Sequence, residues 1–354
     1  MLYLHLPFCK AKCAYCAFCS GTFPLQTQQD YIKRLIALMH HYCKDKTFET
    51  VYIGGGTPSA LPLPLWKQLL AALGALTDVS MLREFTVELN PESTTKELLL
   101  TLKNGGVDRL SFGVQSLIDE ELVAIGRLHT AAKALQSIRL AADCGFENIG
   151  ADLIYGLPGQ TPESFEKSLS ALLTLPVDHL SCYNLQLEEG TPLYQKQAQL
   201  RFADEEEQLV MYERLLSLTK AAGFVHYEIS NFAHPGKQAV HNSGYWTGKD
   251  YLGLGAAAHS KLENCRYSFL EDVEHFITKE DFSFDECLAL SEQDKREEVI
   301  MLGLRTDQGV KMSFVDRQKV QKYVSYGLGE IKGDRFVLNE QGFMVSNTII
   351  ADLI

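Results

Sequence analysis

The chain has 354 residues, 46% of them apolar, with 45 Asp and Glu against 33 Lys and Arg for a formal net charge of −12. That is material for one large packed domain and a smaller companion, with no need of disulfide staples. No stretch concentrates Lys or Arg as a phosphate-binding surface would, which argues against nucleic acid as a partner. Leu2 to Leu6 read as a strand directly after Met1, not as a secretory leader. Apolar runs such as Leu98–Leu100 and Thr348–Ile354 fall far short of the roughly 20 residues that span a bilayer. No transmembrane segment is expected, and the protein is expected in the cytoplasm.

In chain order, the first 220 or so residues alternate short β-rich runs with longer helical patterns, the reading order of βα units around a parallel sheet. The strands are expected at Tyr3–Leu6, Thr50–Ile53, Glu84–Leu89, Arg109–Gly113, Asn148–Ile154 and His179–Gln186. Several are apolar at nearly every position, as strands buried on both faces are. In the first helix, Thr27 and Asp30 resemble a capping box, and Tyr31, Leu35, Leu38, Met39 and Tyr42 recur at helical spacing. Further helices are expected at Pro64–Leu76, Lys96–Lys103, Ala131–Cys144, Pro162–Leu173 and Asp204–Ala222, most followed by Gly or Pro. Six units are two short of a closed barrel, so the fold class is α/β, an open (β/α)6 partial barrel over residues 1–222.

From Tyr227 to Ser260 the rhythm changes to tight turns rich in Gly, His, Asn and aromatics, giving a second segment over 223–290 that closes the barrel. GLGAAA at 253–258 matches G-x-G-x-x-A, but no clear strand precedes it and no amphipathic helix follows, so a dinucleotide unit is not expected. His241, Asn242, Tyr245 and Trp246 read as a polar, aromatic surface facing the barrel mouth, or as packing at the domain junction. Residues 291–354 read as a small α+β, winged-helix-like domain: a helix from Ser291, then Gly309, a second helical stretch, and a strand, turn and helix at the C-terminus.

The reducing cytoplasm makes the nine cysteines unsuitable as a disulfide framework, and five of them sit singly in apolar patterns. The other four cluster after the first strand: Cys9, Cys13 and Cys16 form C-x3-C-x2-C, and Cys19 adds x2-C. Three readings fit the thiols. Four cysteines can close a structural zinc site, although zinc usually takes two separated pairs. C-x-x-C pairs can be redox thiols. Three cysteines can hold a 4Fe–4S cluster whose remaining iron is open to a small molecule. The position favours the last, since βα loops at strand C-termini are where such barrels place chemistry.

The motifs YLHLPFC, CKAKCAYC, VYIGGGTPS, ELNPE, FGVQS, IGRLH, DLIYGLPGQT, YEISNFAHPG, HN-x2-YW and YLGLGAAAHS occur in that order from Tyr3 onward. Together they resemble the radical S-adenosylmethionine (SAM) proteins of the oxygen-independent coproporphyrinogen oxidase family, and more closely its heme-chaperone branch. The likeness runs to about Val310. It implies that Cys9, Cys13 and Cys16 hold the cluster, that SAM chelates the open iron, and that an added electron would release a deoxyadenosyl radical. It implies SAM contacts at Tyr3, Tyr15, Gly55, Gly56, Thr57, Glu88, Gln115, Arg127 and Asp152.

Without the family, the glycines form only a tight turn, Glu88 is a strand-end carboxylate, and Asp152 forms an ion pair with Arg127. The heme-chaperone branch implies heme as cargo, heme-accepting proteins and an electron donor as partners, and peripheral contact with membrane-bound recipients. His5, His129, His241 and His259 are the candidate heme ligands. The oxidase branch implies instead coproporphyrinogen III and oxidative decarboxylation of two propionates. Only two residues precede Tyr3, where family oxidases carry a longer segment, and position 18 is Phe where they carry a fourth cysteine. Both features favour the chaperone branch.

Overall fold

The computed structural model describes every residue from Met1 to Ile354. Six strands, β1 (Leu2–Leu6), β2 (Thr50–Gly55), β3 (Glu84–Leu89), β4 (Arg109–Gln115), β5 (Ile149–Tyr155) and β6 (His179–Asn184), pair in parallel, each with the next. β7 (Val225–Glu228) and β8 (Asn231–Ala233) extend the β6 edge antiparallel, and β9 (Leu252–Leu254) lies parallel to β1. The sheet order is β7-β8-β6-β5-β4-β3-β2-β1-β9, so β1 and β6 do not meet and the barrel stays open, as expected.

The strands alternate rather than being apolar throughout. Leu4, Ile53, Phe85, Val87, Leu110, Phe112, Ala151, Leu153 and Leu180 belong to the core under the helices. The residues between them, including Tyr52, Thr86, Glu88, Arg109, Ser111, Asp152, His179 and Ser181, must point the other way, into the barrel. The barrel interior is therefore polar, and its side chains bond to one another. Tyr52 donates to Glu88 at 2.7 Å, and Ser111 to Asp152 at 3.4 Å.

The first helix is Leu25–Cys43 and buries Tyr31, Ile32, Leu35, Leu38, Met39 and Cys43. Its start differs from the expected capping box. Pro24 precedes it with φ −57° and no side-chain cap, while Thr27 and Asp30 lie inside the helix. Proline fixes its own φ, which places the helix start here without a hydroxyl. True capping boxes occur at Thr161/Ser164, Asp204/Glu207 and Ser291/Asp294.

GLGAAA also differs in part from its reading. Leu252–Leu254 is a strand, and an added Cβ on Gly253 would stand 2.0 Å from the His259 carbonyl oxygen, so only glycine lets the chain cross there. No helix follows. The chain continues into β10 (His259–Leu262), β11 (Cys265–Ser268) and β12 (Glu286–Ala289), an antiparallel sheet. The main core runs as far as Phe276. A separate core, with Ile300, Leu304, Val320, Phe336, Phe343 and Ile349, joins four helices to a small sheet of β13 (Val310–Lys311), β14 (Gly329–Lys332) and β15 (Arg335–Leu338). No helix is long and apolar enough to cross a membrane.

Candidate functional site

β1 runs directly into the cysteine loop, which is pinned at its base and its middle. Cys9 N donates to Gly21 O at 2.8 Å and Gly21 N to Pro7 O at 2.9 Å, closing the base. Ala14 N donates to Ile125 O at 2.9 Å, and Ala14 O accepts from Leu193 N at 2.8 Å, which ties the middle to the opposite side of the barrel. Phe8 packs edge-on against Phe23 and Tyr31 and buries the loop's first turn.

Cys9, Cys13 and Cys16 line a cavity of about 450 Å³ over the C-terminal ends of the strands. Cys19 does not; it lines a neighbouring cavity. The thiols lie within reach of polar donors, with Thr57 Oγ1 3.4 Å from Cys9 Sγ and Arg127 Nη1 3.5 Å from Cys13 Sγ. No three His, Cys, Asp or Glu side chains converge on one point as ligands of a single metal ion do. Three soft sulfur donors around an open cavity suit a multi-iron cluster, whose ligands stand farther apart.

The glycine turn fits closely under this loop. Gly56 N donates to Leu6 O at 2.8 Å and Thr57 N to Phe8 O at 2.7 Å. A Cβ on Gly56 would lie 2.9 to 3.0 Å from Pro7, Phe8 and Cys9 Sγ, and Gly55 has φ +117°, so both positions need glycine. Gly54 leaves room for the Glu88 carboxylate, which a Cβ there would meet at 2.8 Å.

Glu88 accepts from Tyr52 OH at 2.7 Å and from Gly55 N at 3.0 Å. Burial, helped by the nearby Asp152 charge, raises its pKa to about 7 against these two stabilising bonds. Asp152 is also held above the usual carboxylate range, chiefly by burial. The alternative reading of an Asp152–Arg127 ion pair is not realised. Arg127 instead donates to Asn90 Oδ1 at 2.9 Å and to the Gly113 carbonyl, and Asp152 rests on Ser111 and Ser181.

Gln115, at φ +65°, closes β4 with its amide oxygen buried and unpartnered, an acceptor available to a ligand in the cavity. Tyr15, Gly55, Gly56, Thr57, Glu88, Gln115, Arg127, Asp152 and the three cysteines all line that one cavity. Tyr3 falls outside it, in the neighbouring cavity that also borders Gly55 and Glu88. Asn90 was not singled out from the sequence, yet it links the site: its Nδ2 donates to Thr57 Oγ1 at 2.9 Å while its Oδ1 accepts from Arg127. Its position directly after β3, in ELNPE, was the available signal.

The histidines separate clearly. His241 is fully buried at the N-terminal ends of the strands, not at the mouth. Its ring nitrogens meet Thr50 Oγ1 at 2.8 Å and Tyr245 OH at 2.9 Å, and its backbone N–H and that of Val240 donate to Glu84. Burial pushes its pKa down to about 3, which keeps it neutral. The helix Val240–Trp246 thus plugs the barrel floor, where the buried Glu84 carboxylate draws its N-terminus inward. His5 donates from Nε2 to Cys19 O at 3.0 Å, so its Nδ1 accepts from Tyr3 OH at 2.9 Å. His129 is buried between the Val114 carbonyl and Glu92. His259 is the only one of the four that is exposed.

The family model of the radical SAM superfamily matches residues 3–172, and that of the HemN C-terminal domain matches 290–345. A heme chaperone HemW of Lactococcus lactis is 35% identical over 98% of this chain and 95% of its own length. The HemW of Bacillus subtilis is 36% identical over 89% and 86%. The solved structure of coproporphyrinogen III oxidase (HemN) from Escherichia coli, a radical SAM enzyme, superposes with TM-score 0.87 over 99% of this chain and 88% of that one; at 20% identity this establishes the fold alone. The superfamily implies a 4Fe–4S cluster and SAM, and the cysteine cavity has the donors for both. The chain belongs to the HemW family of radical SAM proteins.

Proposed function

We propose that this protein is a heme chaperone that holds a 4Fe–4S cluster on Cys9, Cys13 and Cys16, binds SAM beside it, and delivers heme to recipient proteins. The observation that carries the reading is the partition of the cysteines: three share a cavity with every residue expected at SAM except Tyr3, and the fourth lines the neighbouring cavity. The heme assignment rests on the names of relatives alike over nearly the whole chain.

In this reading the cluster supplies one-electron chemistry to SAM, and the protein positions and encloses both. The SAM methionine moiety would lie against Gly55, Gly56 and Thr57, where the bare glycine turn lets a ligand approach the backbone closely. Glu88 and Asp152 accept from ammonium and ribose hydroxyl groups. The Gln115 amide oxygen finds its missing donor. Arg127 braces the Cys13 side of the loop through Asn90 and Gly113, and Tyr3 and Tyr15 flank the ligand. The chain is divided into a partial barrel at 1–222, a closing segment at 223–290 and a C-terminal domain at 291–354, and it works in the cytoplasm with an electron donor and heme-accepting partners, some of them membrane-bound.

The test is a paired assay on protein reconstituted without oxygen. Stoichiometric heme uptake and transfer to an apo-hemoprotein, with no decarboxylation of coproporphyrinogen III, is the expected result. Catalytic release of decarboxylated porphyrinogen would replace this reading with the oxidase.

A further inference from the structure

Beside the cluster cavity lies a second one of about 660 Å³, bounded by β1, the cysteine loop, the β10 and β11 strands and the helix Glu292–Gly303. It is within the size range of small-molecule and cofactor sites, roughly 300–1,000 Å³. The two cavities share Ala17, Phe18, Gly55 and Glu88 along a common border. Of the residues assigned to SAM, Gly55 and Glu88 stand on that border and Tyr3 alone lies wholly on this side, so most of the second space is left unused.

We propose that this lateral cavity seats heme, with a ring nitrogen of His259 as the axial ligand of the iron; the proposal rests on the heme-chaperone reading above. Two histidines line the cavity, His5 and His259. His5 has both nitrogens bonded, to Tyr3 and Cys19. His259 is exposed, and its ring makes no hydrogen bond within the protein, so a nitrogen lone pair is open to iron. Its backbone is fixed, because β10 pairs with β11 from His259↔Ser268 onward and crosses Gly253 closely enough to exclude any side chain there.

The rest of the lining suits a flat apolar disc with two carboxylates. Phe18 is 69% exposed on the cysteine loop at the border of the cavity, an apolar ring with no packing partner of its own in that position. Tyr245 and Tyr251, packed edge to face at 4.7 Å, supply aromatic wall. Lys261 and Arg266 share a single carboxylate, Glu298, at 3.0 and 3.3 Å. Two cations on one anion leave a positive charge at this end of the cavity for a propionate, which the half-exposed Arg266 can present in a bidentate fork, while Glu271 and Glu88 line the side toward Cys19 and Gly55.

The experiment titrates hemin, and separately metal-free protoporphyrin IX, into the full chain carrying its reconstituted cluster. Optical and EPR spectra are recorded for wild type, His259→Ala, Arg266→Ala, Cys19→Ala and a surface control, His40→Ala. Wild type is expected to bind hemin with a histidine-ligand signature. In His259→Ala that signature should vanish, hemin affinity should fall at least tenfold towards that of protoporphyrin, and added imidazole should restore the signature. His40→Ala should match wild type, and Arg266→Ala should weaken both porphyrins by several-fold.

An unchanged hemin spectrum in His259→Ala would overturn the ligand assignment and leave the chaperone reading standing. So would a thiolate signature lost in Cys19→Ala. Failure of wild type to bind hemin at all would overturn the chaperone reading itself. Equal iron content and circular dichroism across the variants guards against misfolding as the cause.

Discussion

Replacing Glu88 with Gln tests the electrostatics of the barrel mouth at the SAM site. The group is neutral in both folded and unfolded chains below its ordinary 4.5, and ionised in both above about 7. Between those values the unfolded chain ionises while the folded chain resists, so the wild-type carboxylate costs stability progressively as pH rises through that window. At about 1.4 kcal/mol per pH unit the full cost is about 3 kcal/mol; water in the adjoining cavity screens part of it and leaves about 2 kcal/mol. Gln keeps the shape and an acceptor for Tyr52, loses the acceptor of Gly55 N at every pH alike, and does not titrate, so the pH dependence of the difference isolates the charge. Scanning calorimetry without SAM should therefore show the melting temperature of Glu88→Gln relative to wild type rising by about 2–3 °C between pH about 5 and pH about 8.

SAM should act in the opposite sense. Its cationic and hydroxyl groups favour the ionised carboxylate, so wild-type SAM affinity should rise across the same window while that of the Gln variant stays flat. Parallel melting curves for the two proteins at every pH would refute the buried, proton-holding state assigned to Glu88.

The remaining predictions concern the loop and its supports. Gly56→Ala should force the cysteine loop away from Pro7 and Cys9, and iron retained after reconstitution should fall several-fold while the melting temperature changes by only a few degrees. Cys16→Ala should abolish the brown cluster absorbance, whereas Cys19→Ala, on the other side of the loop, should retain it. Tyr31 OH donates to His5 O at 2.8 Å and accepts from Ala256 N at 2.9 Å, wholly buried. Tyr31→Phe leaves both groups unsatisfied and should cost about 2–4 kcal/mol in denaturant unfolding. Thr57→Val removes the hydroxyl between Asn90 and Cys9 and should weaken SAM binding more than it lowers stability, as isothermal titration and melting would show.

The βα rhythm was legible because each helix lays an apolar stripe on the sheet, and the six strands fall within a few residues of where that rhythm places them. The polar inner face was harder to see. In EFTVEL or RLSFGVQ the outward Phe, Val and Leu dominate a reading by hydrophobicity, while the inward Glu, Thr, Arg and Ser stand out only once the strands curl around a common interior. Cys9, Cys13, Cys16 and the glycine turn were legible because loop chemistry is local. His241 was not: the sequence offers an aromatic, polar helix but does not reveal that Glu84, some 157 residues earlier, binds its N-terminus at the barrel floor. The lateral cavity was equally hidden, since its walls come from both ends of the chain, from Tyr3 to Leu302.

The most direct test of the three-cysteine assignment is EPR of the reduced cluster, with and without SAM, in wild type and in Cys19→Ala. SAM should alter the signal in both proteins, because one iron has no protein sulfur and Cys19 is not a ligand. A signal indifferent to SAM, or a cluster lost with Cys19, would contradict it.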